Sequence, residues 1–128
     1  MRVLIDTNIL IDIKRDIEDA QKCIDFFIEE SIHLSISVIT AMEFLAGTTS
    51  KNELRQTEKF LTIFTVIPIS ADISYRAIDL FKEYALSHSI DIPDCFIAAT
   101  ALEHGMTLLT LNAKHFSMIK NLQIKKPY

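Results

Sequence analysis

Three acidic residues stand where a strand is expected to give way to a helix. Asp6 directly follows the apolar run at residues 3–5 and precedes Thr7. Glu43 and Asp94 occur in equivalent strand-to-helix contexts later in the chain. A carboxylate at the carboxyl end of a buried strand faces the crevice in which open α/β sheets bind ligands. Because burying such a charge is costly unless a cation compensates it, the three acids indicate a metal site.

The expected metal is magnesium, because the side chains offered are hard oxygen donors. Carboxylates held close together repel one another and raise one another's pKa, so a divalent cation makes such a cluster tolerable. Magnesium prefers oxygen ligands, keeps several waters and is usually held by one or two carboxylates together with substrate phosphates. It lowers the pKa of a bound water and offsets charge on a phosphodiester. The acids therefore favour hydrolysis of RNA or DNA.

Two of the acids also have a purely structural interpretation as helix caps. Asp6 can cap a short helix that begins near Thr7, since an aspartate accepts hydrogen bonds from the first free amides. Asp94 follows Pro93 and precedes an apolar helix, so it can act in the same way. Asp91, three residues before Asp94 in a predicted loop, is expected to be exposed.

Glu43 has a different structural interpretation. Residues 40–43 read Thr-Ala-Met-Glu, which matches a capping box. If the helix begins nearer residue 37 or 38, however, Glu43 lies well inside it, between Ile39 and Ala46. A carboxylate on that inward face requires a cation.

Alternating hydrophobic patterns predict the elements that must position these acids. Strands are predicted over residues 3–5, 33–37, 64–69, 107–111 and 122–124, and helices over 17–28, 38–46, from about 51, over 73–84, and from after 94 to 105. Residues 48–50 can cap the helix that starts near Lys51, and Gly105 is a natural residue to follow a helix. Strands separated by helices imply right-handed crossovers. The prediction is one domain over residues 1–128, a three-layer α/β/α sandwich with a mostly parallel sheet.

The overall charge argues against a passive binder of nucleic acid. Thirteen basic residues against seventeen acidic ones give a net charge of −4, so any polyanion must be held by local groups of cations. The local groups are Lys14-Arg15, the stretch 51–59, and Lys114 with Lys120, Lys125 and Lys126. The two cysteines and four histidines have no zinc-ligand spacing. With no secretory leader and no long apolar run, the protein is expected to be cytoplasmic.

The chain resembles a PIN-domain ribonuclease, and specifically the VapC-like toxins of type II toxin–antitoxin systems. The matching segments are Ile5-Asp6-Thr7-Asn8, Ser37-Val38-Ile39-Thr40-Ala41-Met42-Glu43-Phe44, Ile92-Pro93-Asp94-Cys95-Phe96-Ile97-Ala98-Ala99-Thr100-Ala101 and Leu108-Leu109-Thr110-Leu111-Asn112. The resemblance implies that Asp6, Glu43 and Asp94 converge as catalytic and metal-binding residues. It also implies dependence on Mg²⁺, with Mn²⁺ as a substitute, and cleavage of RNA.

The last motif departs from the family pattern, which commonly supplies a further acid there. The corresponding positions hold Asn112 and His115. Asn112 can bind a metal or a water through its amide oxygen but brings no charge, and we expect it to be a minor catalytic residue. His115 can donate to a phosphate or cap local structure, and we expect it to be peripheral. The missing charge leaves open whether one or two metal ions bind.

Other functions are weaker interpretations of the same residues. A haloacid-dehalogenase-like phosphatase usually has an Asp-x-Asp pair, but position 8 is Asn. A receiver domain has an acidic pocket, but no phosphoacceptor aspartate follows the third strand at residues 67–70. The alternative from another class is a catalytically weak PIN fold that serves as an RNA-binding or protein-interaction module, which the missing acid favours.

The apolar content predicts partners. Hydrophobic residues make up 49% of the chain, and six aromatic residues exceed what one core is expected to need: Phe26, Phe27, Phe44, Phe60, Phe64 and Tyr75. We therefore expect a homodimer and a hydrophobic groove near the helices at 9–13 and 38–46. The family resemblance implies that an antitoxin tail occupies such a groove and places an arginine or lysine against the acidic site.

Overall fold

The computed structural model of the protein describes all 128 residues, in which strands and helices alternate. The strands are β1 (Arg2–Ile5), β2 (His33–Ser37), β3 (Thr65–Ile67), β4 (Thr107–Leu109) and β5 (Ile124–Lys125). The helices are α1 (Thr7–Lys14), α2 (Glu18–Glu29), α3 (Val38–Ala46), α4 (Lys51–Leu61), α5 (Ala71–His88) and α6 (Ile92–His104), and a 3-10 turn covers Ala113–His115. None of the helices combines the length and the apolar character that crossing a bilayer requires.

All strand pairs are parallel, and the sheet has the order β3-β2-β1-β4-β5. The chain builds outward from β1 through β2 to β3, and then crosses to the other side of β1 to add β4 and β5. The direction of building therefore reverses between β1 and β4, whose ends pair at Ile5 and Leu109. Such a switch point opens a crevice at the carboxyl ends of the two strands, where α/β proteins bind their ligands.

The two faces of the sheet are covered by separate hydrophobic cores, which confirms the predicted three layers. Side chains alternate along β1, so Val3 and Ile5 pack in the core under α1 to α4, and Leu4 packs in the core under α5 and α6. In β4, Leu109 packs in the core under α1 to α4, and Leu108 packs in the core under α5 and α6. A central strand buried on both sides must be apolar throughout, and β1 is, apart from its exposed first residue.

Short polar side chains fix where the helices begin. Side-chain oxygens accept a hydrogen bond from a first-turn amide at five helix starts, at Asp6, Ser37, Ser50, Ser70 and Asp91. The cap at Ser50 confirms the predicted start of α4. Gly105 ends α6 with a φ of 61°, and its N–H bonds back to the helix, as predicted.

The predicted boundaries differ from the observed ones mainly around the last two helices. Helix α5 continues to His88, and α6 begins at Ile92, so the loop predicted over 88–93 is reduced to residues 89–91. Pro93 lies in the first turn of α6, where its missing N–H has no intrahelical partner to lose. Strand β3 ends at Ile67 because the following Pro68 cannot donate to the ladder.

The aromatic residues are less exposed than their number indicated. Phe27, Phe44 and Phe64 are buried, and Phe60 is half-buried between the rings of Phe44 and Phe64. The prediction that six aromatics exceed the needs of the core is therefore wrong for these four. The other two, Phe26 and Tyr75, are exposed.

The two glycines give a matched test of backbone conformation. We expect Gly105→Ala to destabilise the protein by about 1–2 kcal/mol, because an L-residue with positive φ is strained. A Cβ there meets no atom within 4 Å, so strain is the only cost. Gly47→Ala is the control: Gly47 has a φ of −79°, and its added Cβ makes ordinary contacts. It should be neutral or slightly stabilising. Urea denaturation compares the free energies of unfolding of the two variants. Equal changes would contradict backbone strain at Gly105 as the cause.

Candidate active site

Asp6 lies at the switch point and is tied to both strands that form it. Its backbone N–H donates to Leu109 O at 2.9 Å. Thr110, the first residue after β4, donates from Oγ1 to Asp6 Oδ2 at 2.7 Å. The Thr7 amide donates to Asp6 Oδ1 at 2.8 Å, so Asp6 also caps α1. The capping and crevice interpretations of Asp6 are thus both correct, and its carboxylate, only 5% exposed, is held at both oxygens.

Glu43 reaches the same place from α3. Because α3 begins at Val38, with Ser37 as its cap, Glu43 lies in the middle of the helix and the capping-box interpretation is wrong. Thr7 Oγ1 lies 2.7 Å from Glu43 Oε1 and 3.0 Å from Thr40 Oγ1. A hydroxyl has a single proton, so Thr7 donates to the carboxylate and accepts from Thr40. The prediction that Glu43 lies on an inward face of the helix is wrong, because the residue is exposed. Glu43 bounds the site on its solvent side.

Asp94 enters from the first turn of α6. The cap of this helix is Asp91, whose Oδ1 accepts from the Asp94 amide at 2.9 Å, so the interpretation of Asp94 as the cap is wrong. Asp91 is exposed, as predicted. The Asp94 side chain is 18% exposed, and its Oδ2 lies 3.6 Å from His115 Nδ1.

The electrostatics show that these acids act on one another. Burial is the main cause that raises the pKa of Asp94 to about 7. The charges of Asp91 and Asp6, followed by that of Glu43, raise it further. Burial also raises the pKa of Asp6, although the hydrogen bonds from Thr110 and Thr7 oppose that shift. No lysine or arginine forms an ion pair with any of the four carboxylates, which leaves His115 as the only paired base.

The donors suit a hard cation, although they do not form a closed cage. No three His, Cys, Asp or Glu side chains come together as a ready-made ligand set. Magnesium needs only one or two carboxylates because it keeps several of its waters. Asn8, one residue beyond Thr7, has a buried amide oxygen without a hydrogen-bond partner. A buried acceptor of this kind calls for a water or an ion. The oxygen-only chemistry and the unopposed negative charge therefore fit Mg²⁺ or Mn²⁺.

The last motif contributes in ways that the sequence did not indicate. The Asn112 backbone N–H donates to Thr110 Oγ1 at 3.0 Å, which orients the hydroxyl that holds Asp6. The Asn112 side chain is exposed and makes no hydrogen bond, so its amide role stays a prediction. His115 is closer to the acids than expected, because the 3-10 turn directs it to Asp94. Thr7 and Thr110 lie within two of the segments that match the family, but the sequence did not identify them as site residues.

Comparison with known proteins decides the family. The sequence profile described as PIN domain matches residues 3–121, which is nearly the whole chain. The chain belongs to the PIN domain family. Asp6, Glu43 and Asp94 all lie within the residues of this PIN domain that the family profile matches.

Relatives of this PIN domain are similar over their full length. Ribonuclease VapC10 of Mycobacterium tuberculosis is 33% identical over 129 residues, covering 98% of this chain and 92% of the relative. Ribonuclease VapC19 of the same organism is 34% identical over 121 residues, covering 94% of this chain and 96% of the relative. A chain of a toxin–antitoxin complex from Klebsiella pneumoniae has a TM-score of 0.79 at 34% identity, covering 98% of both chains.

The raised pKa of Asp94 predicts how the stability of the metal-free protein depends on pH. The folded protein binds a proton at Asp94 up to about pH 7, whereas the unfolded chain releases it near pH 4, so metal-free stability falls as pH rises between these values. Asp94→Asn removes this loss. In urea denaturation with EDTA, the variant's gain in the free energy of unfolding should be about 1 kcal/mol larger at pH 8 than at pH 5, after allowance for solvent screening.

Asp79→Asn is the control for that prediction, because it removes one negative charge from an exposed position on α5. It reports the effect of net charge alone. A gain from Asp94→Asn that is equal at the two pH values, or no larger than that of the control, would contradict the electrostatic description of the site.

Proposed function

We propose that this protein is a Mg²⁺-dependent endoribonuclease that cleaves RNA phosphodiester bonds, with Mn²⁺ as a possible substitute, and that it is the toxin of a toxin–antitoxin pair. The observation that carries the proposal is the buried carboxylate of Asp6 at the switch point, which Thr7 links to Glu43. The charge of Asp6 also raises the pKa of Asp94, and no lysine or arginine forms an ion pair with any of the three acids. The full-length similarity to proteins named Ribonuclease VapC supports RNA as the substrate.

Each residue has a distinct role in this mechanism. Asp6 and Asp94 would hold the metal, with Glu43 as a third ligand or as a partner of a metal-bound water. Bound Mg²⁺ would lower the pKa of the attacking water and offset charge on the phosphodiester. Thr110 and Thr7 fix the Asp6 carboxylate through its two oxygens, which sets the direction of its free lone pairs. Such supporting contacts are worth roughly 10–100-fold in metal affinity or activity.

His115 and Asn112 complete the proposed site on the side of the last motif. His115, at 3.6 Å from Asp94, can donate to a phosphate oxygen when it is protonated. Asn112 supports Thr110 through its backbone, and its exposed amide can bind a water or the substrate. Neither residue supplies the negative charge that a further acid would bring.

The first test is cleavage of RNA by charge-neutral variants. We expect Asp6→Asn and Asp94→Asn to lower Mg²⁺-dependent cleavage by more than about 100-fold, and Glu43→Gln to be severe as well, because each removes a ligand charge without changing side-chain size. Glu58→Gln, which changes an exposed glutamate on α4, should retain full activity. Initial rates are measured with limiting and with saturating metal.

Thermal unfolding with and without metal separates loss of metal from loss of fold. Millimolar Mg²⁺ should raise the Tm of the unmodified protein, since a ligand that binds only the folded state stabilises it. The same addition should have little effect on Asp6→Asn. Full activity of Asp6→Asn at limiting metal would contradict the proposed site. So would a Tm of the unmodified protein that changes with neither Mg²⁺ nor Mn²⁺.

A catalytically weak RNA-binding or protein-interaction module is the second candidate. It is favoured by the uncharged Asn112, whose side chain is exposed and without a partner. The unmodified protein decides between the two: RNA binding without metal-stimulated cleavage identifies a binding module, and cleavage that depends on Asp6 identifies a nuclease.

We also propose a cognate antitoxin and a homodimer as partners. Solved relatives are described as toxin–antitoxin complexes, and one of them is 34% identical to this chain. A groove lies near the predicted position, between α1 and α3, but only two of its six lining residues, Ile11 and Phe44, are hydrophobic, so it does not itself support the antitoxin. For the dimer, the support is an apolar surface between α5 and α6, where Ile78, Phe81 and Ile92 are 41–59% exposed. Exposed apolar patches of this kind mark interfaces.

The partner proposals are tested on the protein alone and with the product of a neighbouring gene. Light scattering should give twice the chain mass, and a clean monomer of 14.6 kDa would exclude the homodimer. Co-expression with a small DNA-binding protein encoded beside this one should give a complex that does not cleave RNA. A complex with full nuclease activity would remove the inhibitory role.

A further inference from the structure

A groove on the surface of the protein begins at one of the site carboxylates and leads away from it. It runs between α1 and α3, has a volume of about 430 Å³ and is lined by Ile11, Lys14, Arg15, Glu43, Phe44 and Gly47. Glu43 is the residue that accepts the hydrogen bond from Thr7 in the site. Glu43 therefore belongs both to the groove and to the candidate site.

Helix α1 defines the direction of the groove. Thr7, Ile11 and the pair Lys14-Arg15 are spaced by three to four residues, so they share one face of the helix. Thr7 is in the site, and Arg15 follows the last residue of the helix. At about 1.5 Å per residue, Arg15 lies roughly 12 Å along the helix axis from Thr7. A single-stranded nucleic acid crosses that distance in a few nucleotides.

The two cations of the groove differ in whether their charge is free. Lys14 Nζ lies 2.7 Å from Glu53 Oε1, contacts Gly47 O at 3.5 Å and is placed over the ring of Phe44. The charge of Lys14 is therefore already neutralised by Glu53 of α4. Arg15 is exposed, and its guanidinium makes no ion pair and no side-chain hydrogen bond. Arg15 is the free cation at the end of the groove.

An acidic nuclease with uncompensated carboxylates needs such a cation. The chain carries a net charge of −4, and four carboxylates surround the site, so they repel the phosphates on either side of the bond to be cleaved. A free guanidinium attracts a phosphate at a distance from these acids and can bind it with two parallel hydrogen bonds. Phosphate contacts of this kind fix the register of a nucleic acid without reading its sequence.

We propose that Arg15 binds a backbone phosphate of the RNA a few nucleotides from the scissile bond, and that the groove between α1 and α3 guides the strand from Arg15 to the acids. This inference rests on the proposed function, because it assumes that RNA is the substrate. Arg15 is a positioning residue, and it takes no part in the chemical step.

The test measures RNA binding apart from cleavage. A fluorescent single-stranded RNA is titrated with the Asp94→Asn protein, so that the RNA is not consumed, with and without Arg15→Gln. We expect Arg15→Gln to weaken binding about three- to ten-fold, and to reduce the slope of log K against log salt by about 0.7. Arg15→Lys should recover part of the affinity. Arg55→Gln, an exposed arginine on α4 outside the groove, is the control and should have no effect.

Steady-state cleavage by the protein with intact acids supplies the second measurement. Arg15→Gln should raise KM by the same factor and leave kcat unchanged. Unchanged RNA affinity and salt slope in Arg15→Gln would overturn the inference, even if the unmodified protein cleaves RNA. So would a variant that binds RNA normally but no longer binds a protein partner, since the groove would then be a protein-docking site.

Failure of the proposed function has a different signature. If the unmodified protein does not cleave RNA but Arg15→Gln still weakens RNA binding with the smaller salt slope, the role of Arg15 stands and the nuclease assignment fails. If Arg15→Gln is poorly folded, as judged by its Tm, Arg15→Lys and the charge reversal Arg15→Glu replace it. Binding that does not follow the order Arg, Lys, Glu would then overturn the inference.

Discussion

The carboxylate of Asp6 is buried between two strands, and this constraint shapes the rest of the site. At 5% exposure the group loses most of its hydration, so its two oxygens require donors. Thr7 and Thr110 supply one hydrogen bond each, from the start of α1 and from the end of β4. These two bonds do not cancel the cost of burial, because the pKa of Asp6 is still raised. The remaining deficit is what a bound cation would correct.

The other acids are arranged around this buried group at increasing exposure. Asp94 is partly buried, and Glu43 and Asp91 are exposed. If a cation binds as proposed, Asp6 and Asp94 would hold it, and the exposure of Glu43 and Asp91 would leave part of its coordination to water.

The sequence was sufficient for the order and type of the main elements, because the parallel strands and amphipathic helices carry strong periodic patterns. It was also sufficient to place Asp6, Glu43 and Asp94 in one region of the fold, since each follows or adjoins a recognisable element, and their catalytic roles stay predictions. The predicted boundaries near α6 are wrong because Pro93 does not end a loop but lies within the first turn of the helix. Both Asp91 and Asp94 are acceptable caps by composition, and only the backbone geometry shows that Asp91 accepts the bond.

The supporting residues of the site could not be found in the same way. Thr110 contacts Asp6 across 104 positions of sequence, and Thr7 contacts Glu43 across 36. No local pattern encodes such pairs, because they depend on the strand order and on the angle between α1 and α3. His115 was judged peripheral for the same reason: its approach to Asp94 is produced by a short 3-10 turn that leaves no periodic signal.

The central position of β1 has a consequence for synthesis of the protein on the ribosome. One of the two neighbours of β1 is β4, which is made more than a hundred residues later. Until β4 has emerged, one edge of β1 is unpaired and Asp6 lacks the hydroxyl that orients it. A nascent or truncated chain that stops before residue 107 therefore has three acids but no assembled site. The long separation between these partners therefore delays assembly of the site until β4 and Thr110 have both been made.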